Sequence, residues 1–302
     1  TMLQHYIMSY FKRLKLMIDI RLSDNLNLMA EIKDNTVDLI YCDILYGTGR
    51  KFADYQDLKP KRGIIEEHYI PRIKEMHRIL KDTGSVYLQM DTKINHWVRC
   101  ILDDVFGYDN YRNEVSWERV NSIASSKSMF DIIPNVTDRI VIFAKSPKAI
   151  IKASTKKYSK STLKRYNKQD DKGVFCWQPL KTYSKDKLEY LKANNLFEDK
   201  GEFKYHKYKL YLDKDKGVII GDLWNDINMI GSNSSERLGY DTQKPKALLE
   251  RIIKASSNEG DLVADFYGGS FTTAEVCKDL NRNFIGCDIS QKAVNIGLER
   301  TK

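Results

Sequence analysis

Asp261-Leu262-Val263-Ala264-Asp265-Phe266-Tyr267-Gly268-Gly269-Ser270-Phe271-Thr272-Thr273 reads as a short apolar strand that stops at an acid, turns through two glycines and enters a helix start. A second stretch repeats the strand-then-acid pattern more than two hundred positions earlier: Val37-Asp38-Leu39-Ile40-Tyr41-Cys42-Asp43-Ile44-Leu45-Tyr46. In an open α/β sheet the loops at the carboxyl ends of strands gather ligands. The earlier loop offers an acid and an aromatic ring, which suits a flat base. The later one offers glycines and hydroxyls ahead of a helix, which suits a small polar cofactor.

Working outward from these two stretches, apolar periodicity predicts helices over Glu66–Leu80, Ile94–Phe106, Pro245–Ser256, Thr272–Leu280 and Gln291–Arg300. Strands are expected at Val37–Cys42, Ser85–Met90, Asn113–Glu118, Arg139–Lys145, Leu262–Ala264 and Phe284–Cys287. This alternation predicts a doubly wound, mostly parallel α/β sheet. The character changes near Ser146-Pro147: from Ile151 to Lys216 the chain is rich in lysine and tyrosine, and strong apolar periodicity is missing. The expected organisation is therefore 1–150 and 221–302 as two halves of one sheet domain, with 151–220 as an inserted basic lobe.

The 302 residues carry a formal charge of +9 and 42% hydrophobic side chains, enough for a real core and consistent with a polyanionic partner. Five dispersed cysteines without a Cys-x-x-Cys pair point to reduced thiols and a cytoplasmic home. The five isolated histidines suggest no metal site. No apolar run approaches bilayer length, so no membrane partner is expected. Tyr6–Arg21 is apolar but broken by Lys12, Arg13 and Lys15, and is read as a docking or interface segment.

The chain resembles the amino-methylating DNA methyltransferases of the β class. The resemblance rests on 37–57, and then on Asp222-Leu223-Trp224, Tyr240-Asp241-Thr242-Gln243-Lys244-Pro245, Leu248-Leu249-Glu250-Arg251-Ile252-Ile253, the glycine loop and Asn283-Phe284-Ile285-Gly286-Cys287-Asp288, in that order. It implies a Rossmann-like methyltransferase fold, S-adenosylmethionine as cofactor and double-stranded DNA as substrate. A bacterial or phage restriction-modification setting would follow, with a homodimer, a cognate restriction endonuclease or a partner methyltransferase as companions. Two departures stand out. Ile44 and Leu45 replace the two prolines of Asp-Pro-Pro-Tyr, and Phe271 stands where the family carries the last glycine of its cofactor loop.

The resemblance implies catalytic roles for Asp43 and Tyr46: the acid accepts from the target amine and the ring stacks on the flipped base. It implies a cofactor site drawn from Asp24, Asp43, Lys244, Asp265, Tyr267, Gly269, Ser270, Thr272, Thr273 and Asp288. Asp288 would take ribose hydroxyls and Lys244 the cofactor carboxylate. Asp24 reads equally well as a helix N-cap; for Phe52, Asp54 and Tyr55 the resemblance implies a lid over base and cofactor, with a plain surface loop as the alternative. In the insert, Lys156, Lys157, Lys160, Lys164 and Arg165, interleaved with Tyr158 and Tyr166, are candidates for phosphate contacts. An acid at 43 favours adenine N6 as methyl acceptor, since cytosine-N4 enzymes of this kind usually carry serine there. Cytosine N4 methylation and an inactive DNA-binding partner subunit are the alternatives.

Overall fold

The computed structural model describes residues 16–51, 55–120, 133–199, 205–213, 217–240 and 242–302. The chain divides into two compact units, one made of Thr1–Ala153 and Gly221–Lys302, the other of Ser154–Ile220.

The larger unit is built on a mixed sheet of eight described strands. In chain order they are β1 (Ile18–Leu22), β2 (Val37–Asp43), β3 (Leu80–Met90), β4 (Tyr111–Glu118), β5 (Thr137–Ala144), β12 (Leu223–Trp224), β13 (Leu262–Asp265) and β14 (Asn283–Asp288), the numbers between belonging to the smaller unit. Their spatial order is β1-β14-β13-β2-β3-β5-β4-β12. Pairing is parallel from β1 to β3, antiparallel at β3/β5 and β5/β4, and parallel again at β4/β12. Both faces are covered, which is why β2 is apolar almost throughout. Ile40, Cys42, Val86 and Leu88 on one face share a core with α1 (Asn25–Glu31), α2 (Arg62–Ile79) and α3 (Asn95–Phe106). The other face meets α6 (Lys246–Ser256) and α7 (Thr272–Asp279), as when the Tyr87 hydroxyl lies 2.6 Å from Ser256 Oγ. The last helix, α8 (Gln291–Arg300), follows β14.

The doubly wound expectation holds, and the predicted elements fall within a few residues of the observed ones. Helix α2 begins four residues before the expected Glu66 and runs through Pro71. Its start is hidden in the sequence by Gly63, a poor helix former. The segment 6–21 lies largely outside the described residues, and its end forms part of edge strand β1.

The smaller unit is more regular than its sequence suggests. A four-stranded antiparallel sheet has the order β7 (Lys168–Asp170), β8 (Gly173–Leu180), β10 (His206–Tyr211), β9 (Phe197–Glu198), accompanied by α4 (Lys160–Arg165) and α5 (Lys185–Ala193). Its core is small: Phe175, Cys176, Leu180 and Leu191. Entry and exit are joined by β6 (Thr155–Lys156) and β11 (Val218–Ile219), an antiparallel pair. Strands this short, studded with lysine, give no clear period-two signal.

Phe271 explains the altered glycine loop. It adopts a left-handed backbone, φ 51°, at the N-cap of α7, a conformation costly for a bulky residue. Its ring is fully buried, edge-on to Phe284 with centroids 6.2 Å apart. A Cβ on Gly268 would fall 2.4 Å from that ring, and one on Gly297 2.6 Å from it. The ring beneath Gly268 thus leaves no room for a side chain there, and the same glycine lines the cavity. Left-handed strain costs roughly 1–2 kcal/mol, whereas deleting a buried phenylalanine costs about 3–5, so packing outweighs strain. A helical Gly→Ala change ordinarily stabilises by about 0.5–1 kcal/mol. At Gly297 the sign should reverse: Gly297→Ala is expected to destabilise by about 1–3 kcal/mol through overpacking, read as a lowered midpoint in urea unfolding.

Candidate active site

The ends of β1, β2, β13 and β14 and the loops that leave them enclose a cavity of about 310 Å³, large enough for a small-molecule ligand. Asp24, Asp43, Tyr46, Lys244, Asp265, Tyr267, Gly269, Ser270, Thr272, Thr273 and Asp288 all line it. Phe271 does not, since its ring points into the core. Lys156, Lys157, Lys160, Lys164 and Arg165 belong to the smaller unit, where all five side chains are exposed. Phe52 and Asp54 lie outside the described residues, while Tyr55 reaches the cavity lining.

The loop after β2, which lacks the two prolines, is held by hydrogen bonds. The Ile44 N–H donates to the Gln89 carbonyl at 3.0 Å, extending the β2/β3 ladder by one rung that proline could not make. Tyr69 donates its hydroxyl to the Leu45 carbonyl at 3.0 Å. Buried Asp57 then accepts from the N–H groups of Gly47 at 3.1 Å and Thr48 at 2.7 Å, tying the loop down.

Asp43 ends β2 with its carboxyl paired to the ammonium of Lys244. Burial pushes its pKa up, Lys244 pulls it down, and Asp138 adds to the rise. The Lys244 Nζ also sits 5.5 Å from the centroid of the Tyr46 ring, within cation–π range. The Tyr46 hydroxyl lies 2.9 Å from Asp43 Oδ1 and 2.6 Å from Asp138 Oδ2. Burial first, then these two acids, raise its pKa.

On the glycine-loop side, Asp265 is buried and accepts from Thr273 Oγ1 at 2.7 Å and from the Tyr267 N–H at 3.1 Å. Thr272 donates to the Lys244 carbonyl at 3.1 Å and lies 3.1 Å from Ser270 Oγ, joining the loop to the segment that leads into α6. Asp288 accepts the N–H of Gly269 at 2.8 Å and of Ser290 at 2.8 Å, so the acid braces the loop as well as facing the cavity. Asp24 caps α1, accepting from the Leu26 N–H at 2.9 Å, and pairs with Arg72 at 3.2 Å. The one side chain both caps a helix and lines the cavity.

Several wall residues were not singled out in the sequence. Arg72 donates to Asn25 Oδ1 at 2.7 Å, and His68 Nε2 lies 3.0 Å from the Tyr267 hydroxyl. Burial, with Arg72 adding to it, drops the His68 pKa to about 4. Tyr41, Trp117, Arg119 and Asp138 also line the cavity, and Gln89 stands behind them, bonded to Tyr41 and Asp138. These positions lie on α2, β2, β3, β4 and β5 and the residue after β4, and no local motif links them.

A strand-end acid and ring set beside a glycine loop, on a mixed sheet with helices on both faces, define an α/β fold of the Rossmann-like methyltransferase type. The DNA methylase family of N6- and N4-type enzymes matches residues 37–299, and the chain belongs to it. Type II methyltransferase M.EcaI of Enterobacter cloacae is 28% identical, the match covering 89% of this chain and 65% of that protein. DNA adenine methyltransferase YhdJ of Escherichia coli strain K12 is 27% identical over 92% of this chain and 80% of its own length. Among solved structures, that of M1.HpyAVI with SAM superposes with a TM-score of 0.53 at 17% identity, covering 94% of this chain and 100% of that one, a likeness of fold.

Burial raises the Asp265 pKa to about 7 against the opposing pull of Thr273 and the Tyr267 N–H. Between about pH 4 and that value, the folded protein holds a proton the unfolded chain has released, so this group's contribution to stability declines as pH rises. Asp265→Asn removes that dependence. The variant should gain stability relative to wild type between pH 5 and pH 8, measured by urea unfolding at both. A stability difference that stays flat with pH would remove the buried acid as its source.

Proposed function

We propose that this chain transfers a methyl group from S-adenosylmethionine to the N6 amino group of adenine in a specific DNA sequence. The observation that carries the proposal is the placing of Asp43 and Tyr46 in one cavity with the glycine loop Asp265–Thr273. The donor set fits the cofactor. Acidic Asp24 and Asp288 offer acceptors for hydroxyls, the start of α7 favours a carboxylate, and the core-directed Phe271 leaves the cavity open. The last point removes one of the three departures, Ile44, Leu45 and Phe271, that raise the inactive-partner reading.

When bound, the cofactor supplies an electrophilic methyl on its sulfonium. The chain supplies position and charge. Asp43 accepts from the target amine and orients its lone pair, and the Tyr46 ring takes the extruded base by stacking. Extrusion costs a few kcal/mol, and stacking returns about 1–3. Before the amine can use both oxygens of Asp43, Lys244 must leave one of them. Lys244 would do so by holding the carboxylate of the bound cofactor. The acid at 43 favours adenine over cytosine N4. Identification of the modified nucleoside after digestion of methylated DNA decides the matter: N6-methyladenine is expected, and N4-methylcytosine would reassign the base.

Asp43→Ala should abolish methyl transfer in a tritiated-methyl assay while leaving cofactor affinity within a few-fold of wild type. Turnover at the wild-type rate would remove Asp43 from the mechanism.

The smaller unit is proposed as the DNA-recognition lobe, its exposed cations meeting phosphates. Neutralising Lys156, Lys157 and Lys160 together should weaken binding to all DNA sequences. It should also reduce the slope of log affinity against log salt by about 0.9 per lost phosphate contact. An unchanged slope would show that this cluster does not touch the backbone.

A further inference from the structure

Asp138 sits on β5, three strands from the glycine loop, and is 1% exposed. A carboxyl group so deeply placed needs donors around it. Two reach its Oδ2, the Tyr46 hydroxyl at 2.6 Å and Gln89 Nε2 at 2.9 Å, while Oδ1 is met by the charge of Arg119, whose Nε lies 3.0 Å away without hydrogen-bond geometry. The orientation of the Gln89 amide is set from its other side, where Tyr41 donates to Oε1 at 2.8 Å. The Gln89 amino end therefore faces Asp138. The strands dictate this grouping: Gln89 stands opposite Asp43 on β2 and opposite Ile140 on β5, and Asp138 is two residues from Ile140, on the same face.

The Tyr46 hydroxyl has one proton and two carboxyl neighbours, Asp43 at 2.9 Å and Asp138 at 2.6 Å. If the proton goes to Asp43, that acid's Oδ1 is occupied when it should accept from the target amine. If it goes to Asp138, Asp43 keeps a free acceptor and the ring is pinned at its far end. The shorter distance and the orienting Gln89 favour the second arrangement.

We propose that Asp138 is a positioning residue for methyl transfer. It takes the Tyr46 proton, holds the Tyr46 ring as a fixed platform for the extruded base, and so leaves Asp43 Oδ1 open for the amine. In this chain the tether also stands in for stiffness that Ile44 and Leu45 do not impose on the loop. The inference rests on the proposed methyltransferase reading of the same site.

A double-mutant cycle tests it, with kcat measured on cognate DNA and calorimetric cofactor affinity as a check on the fold. Asp138→Ala should lower kcat by about tenfold or more while cofactor affinity stays within about twofold. Asp138→Asn keeps an acceptor for Tyr46 and Gln89, and should lose much less. In a Tyr46→Phe background there is no hydroxyl to tether, so Asp138→Ala should cost little further, the non-additivity expected of residues acting through one contact. If Asp138→Ala does not fold, Asp138→Asn is compared in the two backgrounds, where a loss confined to the tyrosine background is expected. Wild-type kcat in Asp138→Ala, or equal losses in both backgrounds, would overturn the inference, because a purely structural carboxyl is indifferent to residue 46. A wild type that binds DNA and cofactor but transfers no methyl would overturn the functional reading, and this inference with it. That outcome is distinct from an active wild type indifferent to Asp138.

Discussion

The parallel pairing of β13 with β2, Val263 against Leu39 and Ala264 against Ile40, is the contact on which the site depends. It joins two segments separated by most of the chain and brings the acids at their ends to one rim. Asp38 reinforces it at the base of the strands. Its carboxylate accepts the Leu262 N–H at 2.9 Å and pairs with Lys81 at 2.8 Å. Without this pairing, Asp43 and Tyr46 would belong to one loop and the glycines to another, with no common cavity.

The same pairing imposes a cost. Asp43 and Asp265 end adjacent strands, and each raises its own pKa by burial. Neighbouring acids add to that rise. The structure answers each acid differently. Asp265 is satisfied by fixed donors, Thr273 and the Tyr267 N–H, and so holds the loop in shape. Asp43 is satisfied chiefly by Lys244, a long flexible side chain able to move away, while Tyr46 stays tethered to Asp138. An acid held by fixed donors braces a loop, while one held by displaceable donors can exchange them for a substrate. On that ground Asp43, and not Asp265, is the acid suited to meet the amine.

Much of this was legible in the sequence because it is local. A short apolar run ending in Asp43 or Asp265 declares a buried strand and a loop at its carboxyl end. Alternating helical and extended patterns declare the doubly wound sheet, and the resemblance rested on residues at these strand ends. What was not legible is what register decides. Asp138, Gln89 and Tyr41 are spread over ninety-odd positions on three strands, and only the pairings of β2, β3 and β5 put them on one face. That Gly268 lies against the Phe271 ring is a contact which no local pattern could reveal.

Phe271 shows how a departure in a motif can be absorbed by packing. A left-handed position in the loop would ordinarily call for glycine. Here the ring is threaded between Gly268 and Gly297 and against Phe284, so its burial offsets the backbone strain. The prolines missing at 44 and 45 are handled in a parallel way, by a ladder bond from Ile44 and a tyrosine hydroxyl on the Leu45 carbonyl. In both places a constraint that the family writes into one or two residues is spread over partners from distant elements: α8 and β14 for Phe271, β3 and α2 for the loop after β2. Such distributed constraints keep the cavity wall in place while leaving the motif itself altered, and an altered motif alone is therefore weak ground for reading this site as abandoned.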